Sequence, residues 1–325
     1  MRYVMIQNVL SASGIFLSGL LIYVALTKSP SLMRPCVIMI VIKCTTDLLA
    51  AGLNHFVTDR LVSSGNTIFL VFEGACNQYT GLYCFTGHIF FMSLLQQNLV
   101  WLICCYLFRF YILNSRDPTL KTFLFTAIIV YLPSFFHSLY WIYVYYQWSK
   151  ISEQHAPRVF SKPEDLVIAG SVVRQSSAVT CFILFMISII TLFVYIWIRW
   201  MLVEFLREKT SRLSKTAMIL NTQLVKTIHF QSLIPIFTIS GVTTLIFMHY
   251  SVIDSIRIQN FPSIFLSSTL SIFPLSYIMF MPPYFNFCIG TPKKEVTRRI
   301  KEKLRIGNIV EIGPSTTVVY PLTTF

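Results

Sequence analysis

Long apolar stretches recur along the chain and are separated by short polar segments. A helix needs about 20 mainly apolar residues to cross a bilayer, and seven stretches meet that length. They lie at residues 4–27, 35–58, 84–108, 121–146, 177–201, 228–250 and 262–285. The third carries polar residues in its middle, which have to face other helices or a cavity, at Gln96, Gln97 and Asn98. The pattern predicts an all-α membrane protein, a bundle of seven transmembrane helices.

The remainder of the chain follows this bundle. Residues 1–290 form the predicted seven-helix transmembrane domain. Residues 291–306 are basic, with apolar residues every four positions at Val296, Ile300 and Leu304. That pattern is typical of an amphipathic helix lying in the membrane surface. We expect residues 307–325 to form a flexible cytoplasmic tail.

Composition narrows the class of protein. Of the 325 residues, 55% are hydrophobic and only 12% are charged, whereas a soluble domain has about 25% charged residues. This excludes a soluble enzyme, a disordered chain and a secreted disulfide scaffold. Neither HExxH, GxSxG nor a Walker loop occurs, and the cysteines and histidines lack zinc-ligand spacing. We therefore expect a protein that is not an enzyme and needs no cofactor or metal.

The net charge of +13 is divided unevenly between the two sets of loops. The tail and every second loop carry 18 Lys and Arg, and the other side carries 7. Because basic residues collect on the cytoplasmic side of a membrane, this predicts an outside N-terminus and a cytoplasmic C-terminus. Orientation and attraction to the anionic inner leaflet of the bilayer account for the charge without a nucleic-acid partner.

One pair of opposite charges lies inside a predicted span. Asp47 is the only acidic residue within the seven stretches, and Lys43 precedes it by one helical turn. Residues four apart share a helix face, so the two can form an intramembrane ion pair. The pair is either structural or functional, as the site of a bound ion or a conformational lock.

The outer halves of the spans offer residues for a ligand pocket. A few polar tips among aromatic and apolar side chains are what small-molecule sites use. The candidates are Asn54, His55, His88, Phe91, Met92, Phe182, Phe185, Phe247 and His249. The alternative is that these side chains face lipid or pack between helices. The third span contains no acidic residue that could pair with an amine ligand. Apolar, volatile or lipid-like molecules therefore fit the site better.

The segment at 204–226 is basic and has few helix breakers, so it should extend the fifth and sixth spans into the cytoplasm. A partner with acidic groups and an apolar helix could dock there, although attraction to the inner leaflet is an alternative. Pro235 and Pro274, inside the sixth and seventh spans, should kink those helices.

The segment before the sixth span carries the most specific sequence motif in the chain. It contains Ser214-Lys215-Thr216, Gln223-Leu224, Lys226 and Gln231 ahead of Pro235. It closely resembles the same region of nematode seven-span chemosensory receptors. The stretch 29–35 resembles the first inner loop of these receptors, and 106–113 resembles the exit of their third span. Serpentine receptor class d is the most similar, over nearly the whole chain. Lys43 stands where these receptors commonly have Asn.

The resemblance implies a G-protein-coupled chemosensory receptor in the plasma membrane of a sensory neuron, often in its cilium. It implies two partners besides the lipid bilayer: a small chemical ligand and a heterotrimeric G protein at the cytoplasmic face. The residues expected to face the G protein are Arg109, Tyr111, Lys215, Gln223, Lys226, Lys293 and Arg298. Two alternatives are an odorant-gated ion channel with inverted seven-span topology and a membrane transporter. The oligomeric state is not predicted.

The sequence allows two disulfide pairings for Cys84. Cys84 lies at the outer end of the third span, 25 residues before Arg109, as does the disulfide cysteine of rhodopsin-like receptors. The long outer loop at 147–176, however, contains no cysteine. Cys84 can therefore pair with Cys76 or with Cys181, and the sequence does not choose between them.

Overall fold

A computed structural model describes residues 2–29, 34–64, 67–79, 81–114, 120–152, 167–169, 171–209, 215–249 and 260–290. Helices dominate these residues. They are α1 Arg2–Lys28, α2 Arg34–Val57, α3 Gly81–Asn114, α4 Leu120–Ser152, α5 Ser171–Lys209, α6 Lys215–Gln231, α7 Leu233–His249, α8 Phe261–Phe280 and α9 Pro282–Cys288. The predicted membrane-surface helix at 291–306 and tail at 307–325 lie outside the described residues.

Among the described residues, seven helical segments are long and apolar enough to cross a membrane, which confirms the predicted seven-transmembrane bundle. Spans one to five are α1 to α5, span six comprises α6 and α7, and span seven is α8. Helix α5 continues to Lys209 and α6 already begins at Lys215. The basic segment between the fifth and sixth spans is therefore helical on both sides, as its composition predicted.

The sixth and seventh predicted stretches are each divided in the structure. The seventh stretch, predicted at 262–285, ends at Phe280 because Met281 is extended, with φ −92° and ψ 110°. A residue before proline is driven away from helical geometry, and Pro282 starts the separate helix α9. Span six is interrupted at Ser232, three residues before Pro235. Span seven, in contrast, remains one helix through Pro274.

A small antiparallel sheet follows span two, and the hydropathy pattern does not predict it. Strand β1 (Asp59–Ser64) pairs with β2 (Thr67–Phe72), from Asp59 opposite Phe72 to Ser64 opposite Thr67. Strand β3 (Val167–Ala169), which directly precedes span five, pairs with the other edge of β2. Thr58 turns the chain from α2 into β1 with a positive φ of 38°.

The part of the bundle that the structure describes encloses three apolar clusters. The largest fills the middle of the bundle and includes the fully buried Trp101, Tyr106 and Phe273. A second, at the end that carries the sheet, includes Val57, Phe72 and Trp141. The third lies between spans two, three and seven.

Candidate functional site

The amide of Asn54 is fully engaged within the bundle. Its side chain is buried and accepts a hydrogen bond from Gln7 Nε2 at 3.0 Å. Its amide nitrogen donates to Ser11 Oγ at 2.6 Å and to Ser267 Oγ at 2.9 Å. Because these partners lie on spans one and seven, Asn54 ties three spans together. Its geometry is that of a structural residue rather than a free ligand contact.

His88 lies beneath the sheet, at the end of the bundle that the charge count assigns to the outside. Its ring nitrogen Nδ1 is 3.3 Å from the carboxylate of Asp59, and both side chains are buried. The ring meets Phe72 edge-on at a centroid distance of 6.2 Å. Tyr3 donates a hydrogen bond to the backbone carbonyl of Asp59 at 2.7 Å. The hairpin is thus anchored to spans one and three.

Of the two disulfide pairings that the sequence allows, the structure contains Cys76–Cys84. It joins the short 3₁₀ turn after β2 to the start of span three. Cys181 is free and packs against the same apolar cluster. Gly74 makes this close approach of the chain possible, because an added Cβ would lie 2.3 Å from the carbonyl oxygen of Phe56.

The apolar candidates divide between the interior and the surface. Phe91 and Met92 are buried with Leu266 between spans three and seven, and Phe185 packs against the main core. Phe182 and Phe247, however, are 63% and 45% exposed. His55 is also exposed, and His249 ends α7. Among the described candidates, the structure thus places Phe91, Met92 and Phe185 in the interior and Phe182 and Phe247 at the surface of the bundle.

Lys43 and Asp47 form an ion pair in the middle of the bundle. The ammonium of Lys43 lies 2.6 Å and 2.7 Å from the two carboxylate oxygens, and each side chain is 1% exposed. The same ammonium lies 4.6 Å from the centroid of the Phe273 ring on span seven. A cation over an aromatic face is attracted by the ring. The pair therefore also links span two to span seven.

At the end of the bundle opposite the sheet, hydrogen bonds join neighbouring spans. Tyr195 on span five and His229 on span six share a bond of 2.7 Å. Gln231 donates to Ser276 on span seven at 2.9 Å. Burial raises the pKa of Tyr284, whose hydroxyl is hydrogen-bonded to Ser29 at 2.7 Å. Through this bond, α9 is held to the end of span one.

The residues expected to face a G protein gather at that end, as far as they are described. Arg109 and Tyr111 lie in the last turns of α3, where Tyr111 is exposed. Lys215 begins α6, and an exposed Lys226 follows a half-buried Gln223. Lys293 and Arg298 lie outside the described residues.

Comparison with known proteins identifies the family. Residues 3–290 match the family model described as "Serpentine type 7TM GPCR chemoreceptor Srd". The chain belongs to the Srd family of serpentine chemoreceptors. It is 36% identical to serpentine receptor class delta-28 of Caenorhabditis elegans, covering 90% of this chain and 91% of that receptor. It is also 35% identical to class delta-30 and class delta-26 of the same organism, covering at least 90% of each chain.

Membership of the Srd family confirms several predictions. The protein is a multi-pass membrane receptor of GPCR-like chemosensory type and not an enzyme. The family therefore implies a G protein, a small-molecule ligand and the membrane as partners. The class d resemblance predicted from the loop motifs is confirmed as well.

Two residues of this Srd receptor, Asp59 and Asn98, were not among the predicted site residues. Asp59 was missed because it follows span two in sequence, and only the hairpin brings it to His88. Asn98 lines a small cavity beside Lys43 and Asp47, together with Thr238 and Thr269. The signal for Asn98 was present, since it is one of three polar residues in the middle of an apolar span.

Proposed function

We propose that this receptor detects small apolar or volatile molecules in the outer half of its bundle and signals to a heterotrimeric G protein at the cytoplasmic face. The observation that carries the ligand class is the wall of Phe91, Met92 and Leu95, packed against Leu266 below His88. A mostly apolar wall with one polar tip suits a ligand with little hydrogen-bonding capacity.

The proposed coupling runs through span six. A ligand that favours one state of the bundle shifts the population towards that state. Span six is interrupted at Ser232, and its inner part is held to span five by the bond between Tyr195 and His229. Separation of α6 from α5 would open the basic face that includes Lys226. A G protein with an apolar helix and acidic groups would fit that face.

The proposed location is the plasma membrane, with the N-terminus outside and the C-terminus in the cytoplasm, in the cilium of a sensory neuron. The 18 to 7 division of Lys and Arg supports this orientation. Epitope tags at the two ends test it in cultured cells. The N-terminal tag should be stained on intact cells and the C-terminal tag only after permeabilisation. The reverse result would contradict the orientation and favour the inverted channel topology.

The ligand class is tested with a panel of volatile compounds and a G-protein activation assay. For any active compound, the buried Phe91→Leu change should raise the half-maximal concentration about tenfold, because it reshapes the ligand wall. The exposed Phe182→Leu change is the matched control and should leave the value unchanged. Receptor amount at the cell surface is measured for both variants. Equal effects of the two changes would contradict the proposed pocket.

A further inference from the structure

A small cavity lies inside the bundle between spans two, three, six and seven. Its volume is about 10 Å³, and its polar lining consists of Lys43, Asp47, Asn98, Thr238 and Thr269. The remaining wall is aliphatic. Four spans therefore direct polar groups into one enclosed space in the middle of the membrane domain.

The amide of Asn98 faces this space. Asn98 is 5% exposed, and neither its carbonyl oxygen nor its amide nitrogen makes a hydrogen bond to the part of the protein that the structure describes. Buried amides are almost always hydrogen-bonded, and the interior of a membrane domain offers no bulk water to compensate. A small polar molecule in the cavity would satisfy this amide.

The charges in the cavity favour a neutral occupant. Lys43 and Asp47 neutralise each other through two short hydrogen bonds. A bound cation would lie next to the ammonium of Lys43, and a bound anion would lie next to the carboxylate of Asp47. The pair therefore provides no net charge for an ion.

The hydrogen-bonding groups indicate an occupant that both donates and accepts. Asn98 offers one acceptor and one amino group. Thr238 and Thr269 donate their hydroxyl protons to the carbonyls of Ile234 and Leu266, so their oxygens are left as acceptors. A water molecule combines both roles, and the cavity has about the volume that one water requires.

We propose that this cavity is a binding site for one ordered water molecule, which is held by Asn98 beside the Lys43–Asp47 pair. Thr238 is the polar contribution of span six and lies beyond the interruption at Ser232. The water therefore joins the outer part of span six to the ion pair on span two. The cavity shares Leu95 and Leu266 with the proposed ligand wall but is distinct from the G-protein face. The bound water itself depends neither on a ligand nor on coupling to a G protein.

The sign of a stability change tests the proposal. Asn98→Leu removes the amide, and the larger leucine side chain extends into the cavity. If the cavity holds water, leucine displaces a molecule whose hydrogen bonds it cannot replace, and the melting temperature of the purified receptor should fall by about 2–5 °C. If the cavity is empty, removing an unpaired amide should raise the melting temperature, and this result would overturn the proposal.

Gln96→Leu is the matched control. Gln96 is a buried amide on the same helix but does not line the cavity. The fall for Asn98→Leu should exceed any fall for Gln96→Leu. An equal or larger fall for Gln96→Leu would count against a water at Asn98.

A density map of the unmodified receptor decides the matter if the leucine variant does not fold. At a resolution that shows ordered water, a peak should lie within hydrogen-bonding distance of the Asn98 amide. An empty cavity between well-ordered side chains would overturn the proposal.

Discussion

Spans six and seven both carry a proline in their middle, but only span six is interrupted near it. Helix α8 runs unbroken through Pro274, whereas span six divides at Ser232 ahead of Pro235. Proline removes one hydrogen bond in either helix. In span six, the Ser232 backbone N–H is shared between the carbonyls of Ile228 and His229, each at 3.2 Å. Proline alone therefore does not decide where a membrane helix is interrupted.

The difference lies in the neighbours of the two spans. Span seven is bonded along its length to spans one and two, through Ser267 to Asn54, through Ser271 to Ser13, and through the Phe273 ring to Lys43. Span six is bonded to its neighbours near its inner end, through His229 to Tyr195 and through Gln231 to Ser276. Spans one, two and seven thus form a fixed group, and span six is the less constrained neighbour. Elements with fewer buried contacts open most readily.

The largest expected effect is the loss of one charge from the fixed group. Asp47→Ala leaves the Lys43 ammonium buried without its partner, which costs about 3–5 kcal/mol of stability. We expect little receptor at the cell surface and a much lower melting temperature of the purified protein. The double variant Lys43→Met with Asp47→Leu should recover much of the loss, because no charge remains buried. A single variant as stable as the parent would show that the pair does not hold spans two and seven together.

Removing the amide of Asn54 is expected to have the next largest effect. Asn54→Leu breaks three hydrogen bonds between spans one, two and seven, each worth about 0.6 kcal/mol in a membrane domain. The loss of about 2 kcal/mol should appear as a lower melting temperature. The neighbouring His55→Ala is the control, and it should change stability by less than about 0.5 kcal/mol since His55 is exposed. Similar losses for both would argue against the fixed group.

The prolines offer a direct comparison of the two spans. Pro235→Ala restores an N–H that can bond to the carbonyl of Gln231, so the interruption at Ser232 should close. Amide hydrogen exchange in residues 228–236 should slow by about threefold, which corresponds to roughly 0.6 kcal/mol. Pro274→Ala should change exchange in span seven less, because that helix is already continuous and held by its neighbours. A larger change at Pro274 would reverse the assignment of fixed and mobile spans.

An effect of about the same size is expected at the contact between spans five and six. Tyr195→Phe removes only the hydrogen bond to His229, about 0.6 kcal/mol. Basal G-protein activation should therefore rise about threefold, because the closed arrangement loses one bond. Phe193→Leu, an exposed change on the same helix, should have no effect. Lower basal activity in Tyr195→Phe would mean that this bond belongs to the signalling state instead.

Much of the fold could be predicted from sequence because each span is a long and mainly apolar run. The ion pair between Lys43 and Asp47 was also predictable, since it depends only on residues four apart on one helix. The sequence did not predict which side of each span faces the interior of the bundle. Phe182 and the buried Leu184 are both apolar, and a helix that is apolar all round carries no periodic signal.

The hairpin was harder still, because it depends on contacts between distant residues. Its second strand, Thr67–Phe72, is a short apolar run that hydropathy does not distinguish from part of a span. The approach of Asp59 to His88 exists only once β1 and β2 have paired. The choice of Cys76 over Cys181 likewise depends on a turn whose geometry is not written in the spacing of cysteines.

The disulfide has a consequence for the synthesis of the receptor. Cys76 and Cys84 are separated by only eight positions, and their bridge requires no residue that follows Cys84. The chain is made from its N-terminus, so both thiols are available while spans four to seven are still to be translated. The root of the hairpin can therefore be closed early, and the later spans then assemble against an end of the bundle that is already shaped.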